Sequence, residues 1–139
     1  MRAYKYRIYP TDEQKVLFAK TFGSCRFVYN WALDLKIEAY KQEKRSVAYK
    51  EVQERMVNEL KKENRWLVEV NSQSLLNSIR DLGTACKNFF RDTHAVGFPR
   101  FKSRKDRQSF QCPQHCSVDF GKETISIPKA KGIPAVLHR

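Results

Sequence analysis

The chain has 139 residues, 27 Lys+Arg against 15 Asp+Glu for a formal charge of +12, and 41% hydrophobic residues. That length holds one ordinary domain, or one domain with an insertion; the apolar content supports a packed core, and the cation excess favours a polyanionic partner. No apolar run nears the roughly 20 residues of a spanning helix, Met1-Arg2-Ala3-Tyr4-Lys5 lacks a secretion signal's apolar core, and the four cysteines form no dense framework, so a cytoplasmic nucleic-acid binder with no membrane association and no small-molecule substrate is expected.

In Ala3 to Tyr9, alternation puts Tyr4, Tyr6 and Ile8 on one face and Lys5, Arg7 and Tyr9 on the other, which predicts a half-buried strand ended by Pro10. Thr11 stands three residues before Gln14, the spacing of a capping box, and Leu17, Phe18 and Phe22 open a short helix that Gly23 closes. A second helix is expected from about Ser24 to Lys44, burying Val28, Trp31, Ala32, Leu35 and Ala39. Two helices hinged at Gly23 have the outline of a helix-turn-helix, an outline shared by many proteins that never touch DNA.

Ser46 is placed to cap a third helix with Val52, Met56 and Leu60 as its apolar stripe. Asn71 caps the strongest helical pattern, in which Leu75, Leu76, Ile79, Leu82, Cys86, Phe89 and Phe90 recur every three or four residues. The other side carries Gln73, Arg80, Lys87 and Arg91, which face either water or a nucleic-acid backbone.

Past this helix, Gly97-Phe98-Pro99-Arg100-Phe101-Lys102-Ser103-Arg104-Lys105 alternates cations with aromatics. Cations neutralise phosphates and aromatic faces accept bases, so the segment reads as a nucleic-acid contact; the plainer alternative is a solvated basic loop anchored by two core phenylalanines. Residues 108–111, 117–120 and 123–127 then look like short strands, with Gly121 turning the last two, and residues 132–139 read as the start of another. A lone N-terminal strand is unstable, so residues 2–9 should pair with these later strands. The expected fold is α+β: a helical bundle of three to four helices (residues 11–92) inserted between a first strand (1–10) and the rest of a partial small barrel or sheet (93–139), one that looks truncated.

Cys112-Pro113-Gln114-His115-Cys116 gathers two thiols and an imidazole, but no second pair completes a four-ligand zinc site, so no metal is expected. Asp12, Glu13, Glu51, Glu54, Glu59 and Glu63 are dispersed on helical surfaces and Asp106 lies in a basic run, an arrangement unlike the clustered carboxylates of two-metal phosphodiester cleavage. Cys25 or Cys86 with His94, His115 or His138 has no spacing that supports nucleophilic catalysis.

Several ordered blocks carry a resemblance: Tyr4-Lys5-Tyr6-Arg7-Ile8-Tyr9-Pro10-Thr11, Cys25-Arg26-Phe27-Val28-Tyr29-Asn30-Trp31, Ser72-Gln73-Ser74-Leu75 with Arg80-Asp81-Leu82, Phe89-Phe90-Arg91, and Gly97 to Ser103. Together with Ile127-Pro128-Lys129 and Leu137-His138-Arg139, they resemble the N-terminal region of the TnpB/OrfB family encoded by insertion sequences, compact RNA-guided DNA endonucleases related to type V CRISPR effectors. The resemblance implies a wedge-like barrel gripping guide RNA and a helical lobe over the guide–target DNA duplex. It also implies a RuvC-like acidic triad and a zinc module downstream, so no enzyme activity and no cofactor are expected of these residues. Lys5, Arg7, Arg26, Tyr29, Asn30, Gln73, Arg80, Arg91, Arg100, Lys102, Ser103, Arg104 and Lys105 are the expected contacts. Against them, Arg26 could simply pair with an acid, Tyr29 pack in the bundle and Asn30 brace a loop. The other readings are an autonomous helix-turn-helix DNA-binding regulator and an inactive truncated remnant.

Overall fold

The computed structural model describes residues 3–91 and 97–137; His94 and His138, weighed above as catalytic bases, lie outside them. Helix α1 (Asp12–Glu43) starts at the expected capping box, in which the Thr11 hydroxyl accepts the Gln14 amide and the Gln14 side chain accepts that of Thr11. The other end of the Gln14 carboxamide donates to the Lys131 carbonyl at 3.2 Å, so one side chain both caps the helix and ties it to the sheet.

α1 is one helix of 32 residues, roughly 48 Å long. The expected break at Gly23 is therefore corrected. An interior glycine costs about 1 kcal/mol against alanine, whereas Thr21, Ser24, Cys25, Val28, Tyr29, Ala32 and Leu33 form an uninterrupted buried stripe across it. Packing outweighs the local propensity, and the helix ends instead at Lys44, which takes the left-handed conformation (φ 51°).

Ser46 caps nothing. Residues 44–48 form no regular element, Val47 turns into the core while its carbonyl accepts the Lys36 ammonium, and α2 (Tyr49–Arg55) begins after Ala48 without a side-chain cap. A π-helical turn (Met56–Leu60) and α3 (Lys61–Glu63) continue α2, and Val52, Met56 and Leu60 are buried as expected. After a 3-10 turn (Arg65–Glu69), the Asn71 side chain accepts the Gln73 amide and starts α4 (Ser72–Arg91).

Cys25 meets Ser74, and farther along Ile37 shares a groove with Cys86 and Phe89, so α1 and α4 run parallel and the α2–α3 rod carries the chain back. Val28, Leu33, Val52, Met56, Leu67, Leu75, Ile79 and Leu82 fill the core between them. The α4 stripe fades toward its end, where Phe90 is 69% exposed.

The strands form one antiparallel sheet in the order β1-β4-β3-β2, with β1 (Arg7–Ile8), β2 (Ser117–Asp119), β3 (Thr124–Ile127) and β4 (Ala130–Val136), and it is not closed into a barrel. The N-terminal strand does pair with a late one, Arg7 opposite Val136 and Ile8 opposite Ala135. It is shorter than the alternation predicts, and neither of its faces is buried: Tyr4, Ile8 and Tyr9 are exposed. Residues 132–136 do enter a strand, central rather than at an edge, and Ile133 and Ala135 are its inward side. Gly121 lies in the β2–β3 turn, although Glu123 takes the positive φ. Residues 108–111 are not a strand. They cross the helices, with Phe110 against Phe18 and Phe22 and the Gln111 carbonyl accepting the Ser74 hydroxyl at 2.6 Å.

Leu33→Ala should cost about 2–5 kcal/mol through the cavity it leaves, and Thr11→Ala about 1 kcal/mol through the lost cap, by equilibrium urea unfolding. Arg45 joins Glu43 at 2.9 Å and Glu51 at 2.8 Å, and its guanidinium holds the Glu51 carboxyl below the usual carboxylate range. A lowered carboxylate pKa stabilises the fold above the unfolded value and loses that contribution as pH falls through the folded one. The melting-temperature gap between wild type and Arg45→Gln should therefore be open at neutral pH and close in acid.

Candidate nucleic-acid interface

The basic segment is laid along α1 by one side chain. The Asn30 carboxamide donates to the Lys102 carbonyl at 2.9 Å and accepts the Lys102 amide at 2.8 Å, as a neighbouring strand would. A turn follows: the Ser103 amide donates to the Asp106 carboxylate at 2.9 Å, the Asp106 amide donates to the Ser103 carbonyl, and the Ser103 hydroxyl accepts the Lys105 amide. Asp106 is thus a turn residue inside the basic run.

On one side of this clamp Phe98 packs edge-on against Phe89 with ring centroids 5.3 Å apart, and on the other Phe110 reaches Phe18 and Phe22. Residues 98–110 therefore run back along α1, opposite to its direction. The Lys102 ammonium lies 4.3 Å from the centre of the Tyr29 ring. Burial, reinforced by Cys86 and Asp81, raises the Tyr29 phenol above its ordinary value and keeps it neutral beneath that cation.

Arg26 is the hub. Its guanidinium lies 3.7 Å from where a Cβ on Gly23 would stand. With Lys15, Phe18, Ala19, Phe22, Arg104 and Gln108 it lines a groove of about 510 Å³ on one side of α1. On the other side, it lines a groove of about 530 Å³ together with Lys20, Phe27, Asn30 and Trp66.

The structure brings together Arg26, Tyr29, Asn30, Lys102, Ser103 and Arg104, with Arg100 and Lys105 exposed on the same segment. Others lie apart. Lys5 and Arg7 are exposed at the sheet's β1 edge, Gln73 lies in the first turn of α4, Arg91 ends α4, and Arg80 lies over the Tyr49 ring at 5.3 Å, toward α2. Lys15, Lys20 and the Phe27–Trp66 pair were missing from the expected set. Lys15, Ala19, Phe22 and Arg26 have the spacing of one helical face, a signal hidden by breaking the helix at Gly23.

Burial raises the Cys25 and Cys86 thiols above their ordinary range, and the Cys116 thiol donates to the Cys112 carbonyl at 3.2 Å. Among the described residues no three His, Cys, Asp or Glu side chains are grouped to hold a metal. Among them, too, no helix is long and apolar enough to cross a membrane.

Residues 1–45 match the family model of the OrfB helix-turn-helix domain; the described residues of that stretch hold one short strand (Arg7–Ile8) and one unbroken helix (Asp12–Glu43). A Streptomyces pristinaespiralis protein described as a candidate RNA-guided DNA endonuclease is 43% identical over 105 residues, 75% of this chain and 26% of its own length. InsQ of Escherichia coli K12, described in the same words, is 34% identical over 130 residues, 93% of this chain and 32% of its own. The virulence protein VsdF of Salmonella dublin is 31% identical over 112 residues, 75% of this chain and 94% of its own. The chain thus spans about a quarter to a third of the length of the two endonuclease-named relatives.

If Asn30 holds the segment, Asn30→Ala should raise the hydrogen-exchange rate of the Lys102 amide by about tenfold, the equivalent of one to two ordinary hydrogen bonds. Asn30→Asp keeps the size but sets an oxygen against the Lys102 carbonyl, so it should loosen the segment as much. Unchanged exchange in both would mean that the flanking phenylalanines suffice.

Proposed function

The chain belongs to the OrfB/TnpB family of insertion-sequence proteins, and on that footing we propose that it is the nucleic-acid-holding part of a transposon protein, gripping guide RNA and the guide–target DNA duplex, with binding rather than strand cleavage as the work of these residues. The observation that carries this reading is the laying of residues 97–107 along α1, which gathers Arg26, Lys102, Arg104 and Lys15 on one surface. Collected cations raise the local potential for a polyanion far more than dispersed ones do. The names of the relatives support RNA as the guide and DNA as the target.

The rest of the reading follows from placement. Lys5 and Arg7 on the open sheet would hold RNA backbone, while Gln73, Arg80 and Arg91 on α4 would contact the guide–target duplex. The division into a first strand (1–10), a helical lobe (11–92) and a third unit (93–139) is part of this reading, and within the third unit residues 98–111 lie against the helices while the strands β2, β3 and β4 carry the sheet. Glu51 pairs with Arg45 and Arg55, and Glu69 with Lys20. A cytoplasmic location accords with this reading.

Neutralising Arg100, Lys102, Arg104 and Lys105 to Gln should weaken binding to a structured RNA and flatten log Kd against log salt by about one unit per lost phosphate contact. Fluorescence anisotropy across a salt series measures both. An unchanged slope would remove the segment from the interface, and a preference for one duplex DNA sequence over structured RNA would overturn RNA holding.

A further inference from the structure

The groove on the Trp66 side of α1 has no part in the reading above. Its wall is aromatic: Phe27 and Trp66 meet edge-on with centroids 5.0 Å apart, and Trp66 remains 43% exposed. α1 lines it from Lys20 to Asn30, and within that stretch Gly23 brings no side chain, which leaves the helix backbone uncovered at that point. The rim is charged, with Arg26 on α1 and a Lys20–Glu69 ion pair at 3.2 Å joining the helix to the 3-10 turn. Asn30 lines the groove and clamps Lys102, so the groove is continuous with the basic segment.

Gly23 is otherwise unexplained. An interior glycine forms helix less well than alanine; its backbone has no positive φ, and an added Cβ would meet only the Arg26 guanidinium, at ordinary contact distance. The missing side chain leaves the helix backbone open to a flat group. Flat π-systems stack on exposed indole, and the cation of Arg26 suits the phosphate attached to one.

We propose that this groove receives one unpaired nucleobase of a single-stranded stretch, stacked on Trp66 over the bare turn at Gly23, with its phosphate toward Arg26. The proposal rests on the nucleic-acid reading but adds to it a specific stacking site for an extruded base.

The test uses Trp31→Phe, which leaves Trp66 as the single tryptophan, titrated with oligoadenylate RNA and with an abasic oligomer of equal length and charge. Oligoadenylate should quench Trp66 saturably and bind about tenfold or more tighter than the abasic strand, since a stacked base contributes that much. In the wild-type background, anisotropy with labelled strands should show Trp66→Ala removing that preference while leaving abasic binding unchanged. Gly23→Ala guards against a folding artefact: it should raise the melting temperature and still diminish the preference. Equal binding of both strands with Trp66 unquenched would overturn the stacking site and leave the electrostatic reading standing. Binding of neither would overturn both, and quenching by an acidic peptide but by neither strand would reassign the groove to a protein partner.

Discussion

Two hydrogen bonds between the Asn30 carboxamide and the Lys102 backbone decide where the basic segment lies. Without them, Phe98 and Phe110 would still anchor the two ends, but the backbone between them would lose its tie to α1 and its cations would sample more positions. With them, Lys102 seats on Tyr29, and Arg104 shares a groove with Arg26 and Lys15. The clamp in turn requires Tyr29 and Asn30 to stand at a fixed height along a straight rod, which is why the continuity of α1 across Gly23 matters. It also requires α4 to run parallel to α1, so that the chain leaves α4 at the far end and must return along the helix surface.

Much of this fold is legible in the residues. The capping box at Thr11 and Gln14, the Asn71 cap, the α2 stripe, the first half of the α4 stripe and the pairing of the first strand with a late one are all local or pairwise signals, and each is found. The misreadings share a cause: a local cue overridden by tertiary packing. Gly23 reads as a helix end because glycine is a poor helix former, yet the buried stripe from Thr21 to Leu33 runs through it. Ser46 reads as a cap, but Val47 has to reach the core first. Residues 108–111 read as a strand, while their polar groups and Phe110 find partners on helices far away in sequence.

The same limit applies to the interface. The density of cations in residues 100–105 is visible in the sequence; the bracing role of Asn30 stood only as the plainer alternative to contact. The Arg26 hub depends on which faces of α1 the basic segment and the 3-10 turn approach, and the Trp66 wall on how that turn folds back on α1. Neither has a period or a motif. What distinguishes this surface is therefore less its charge, which the composition already announces, than the fixing of that charge beside aromatic faces.

The most direct measurement of the central claim is photo-crosslinking of the chain to a structured RNA carrying a single-stranded arm, with the crosslinked peptides mapped by mass spectrometry. The account predicts adducts on α1 around Arg26 to Asn30, on residues 98–105 and on the peptide holding Trp66. Adducts confined to the β2–β3 hairpin would contradict it.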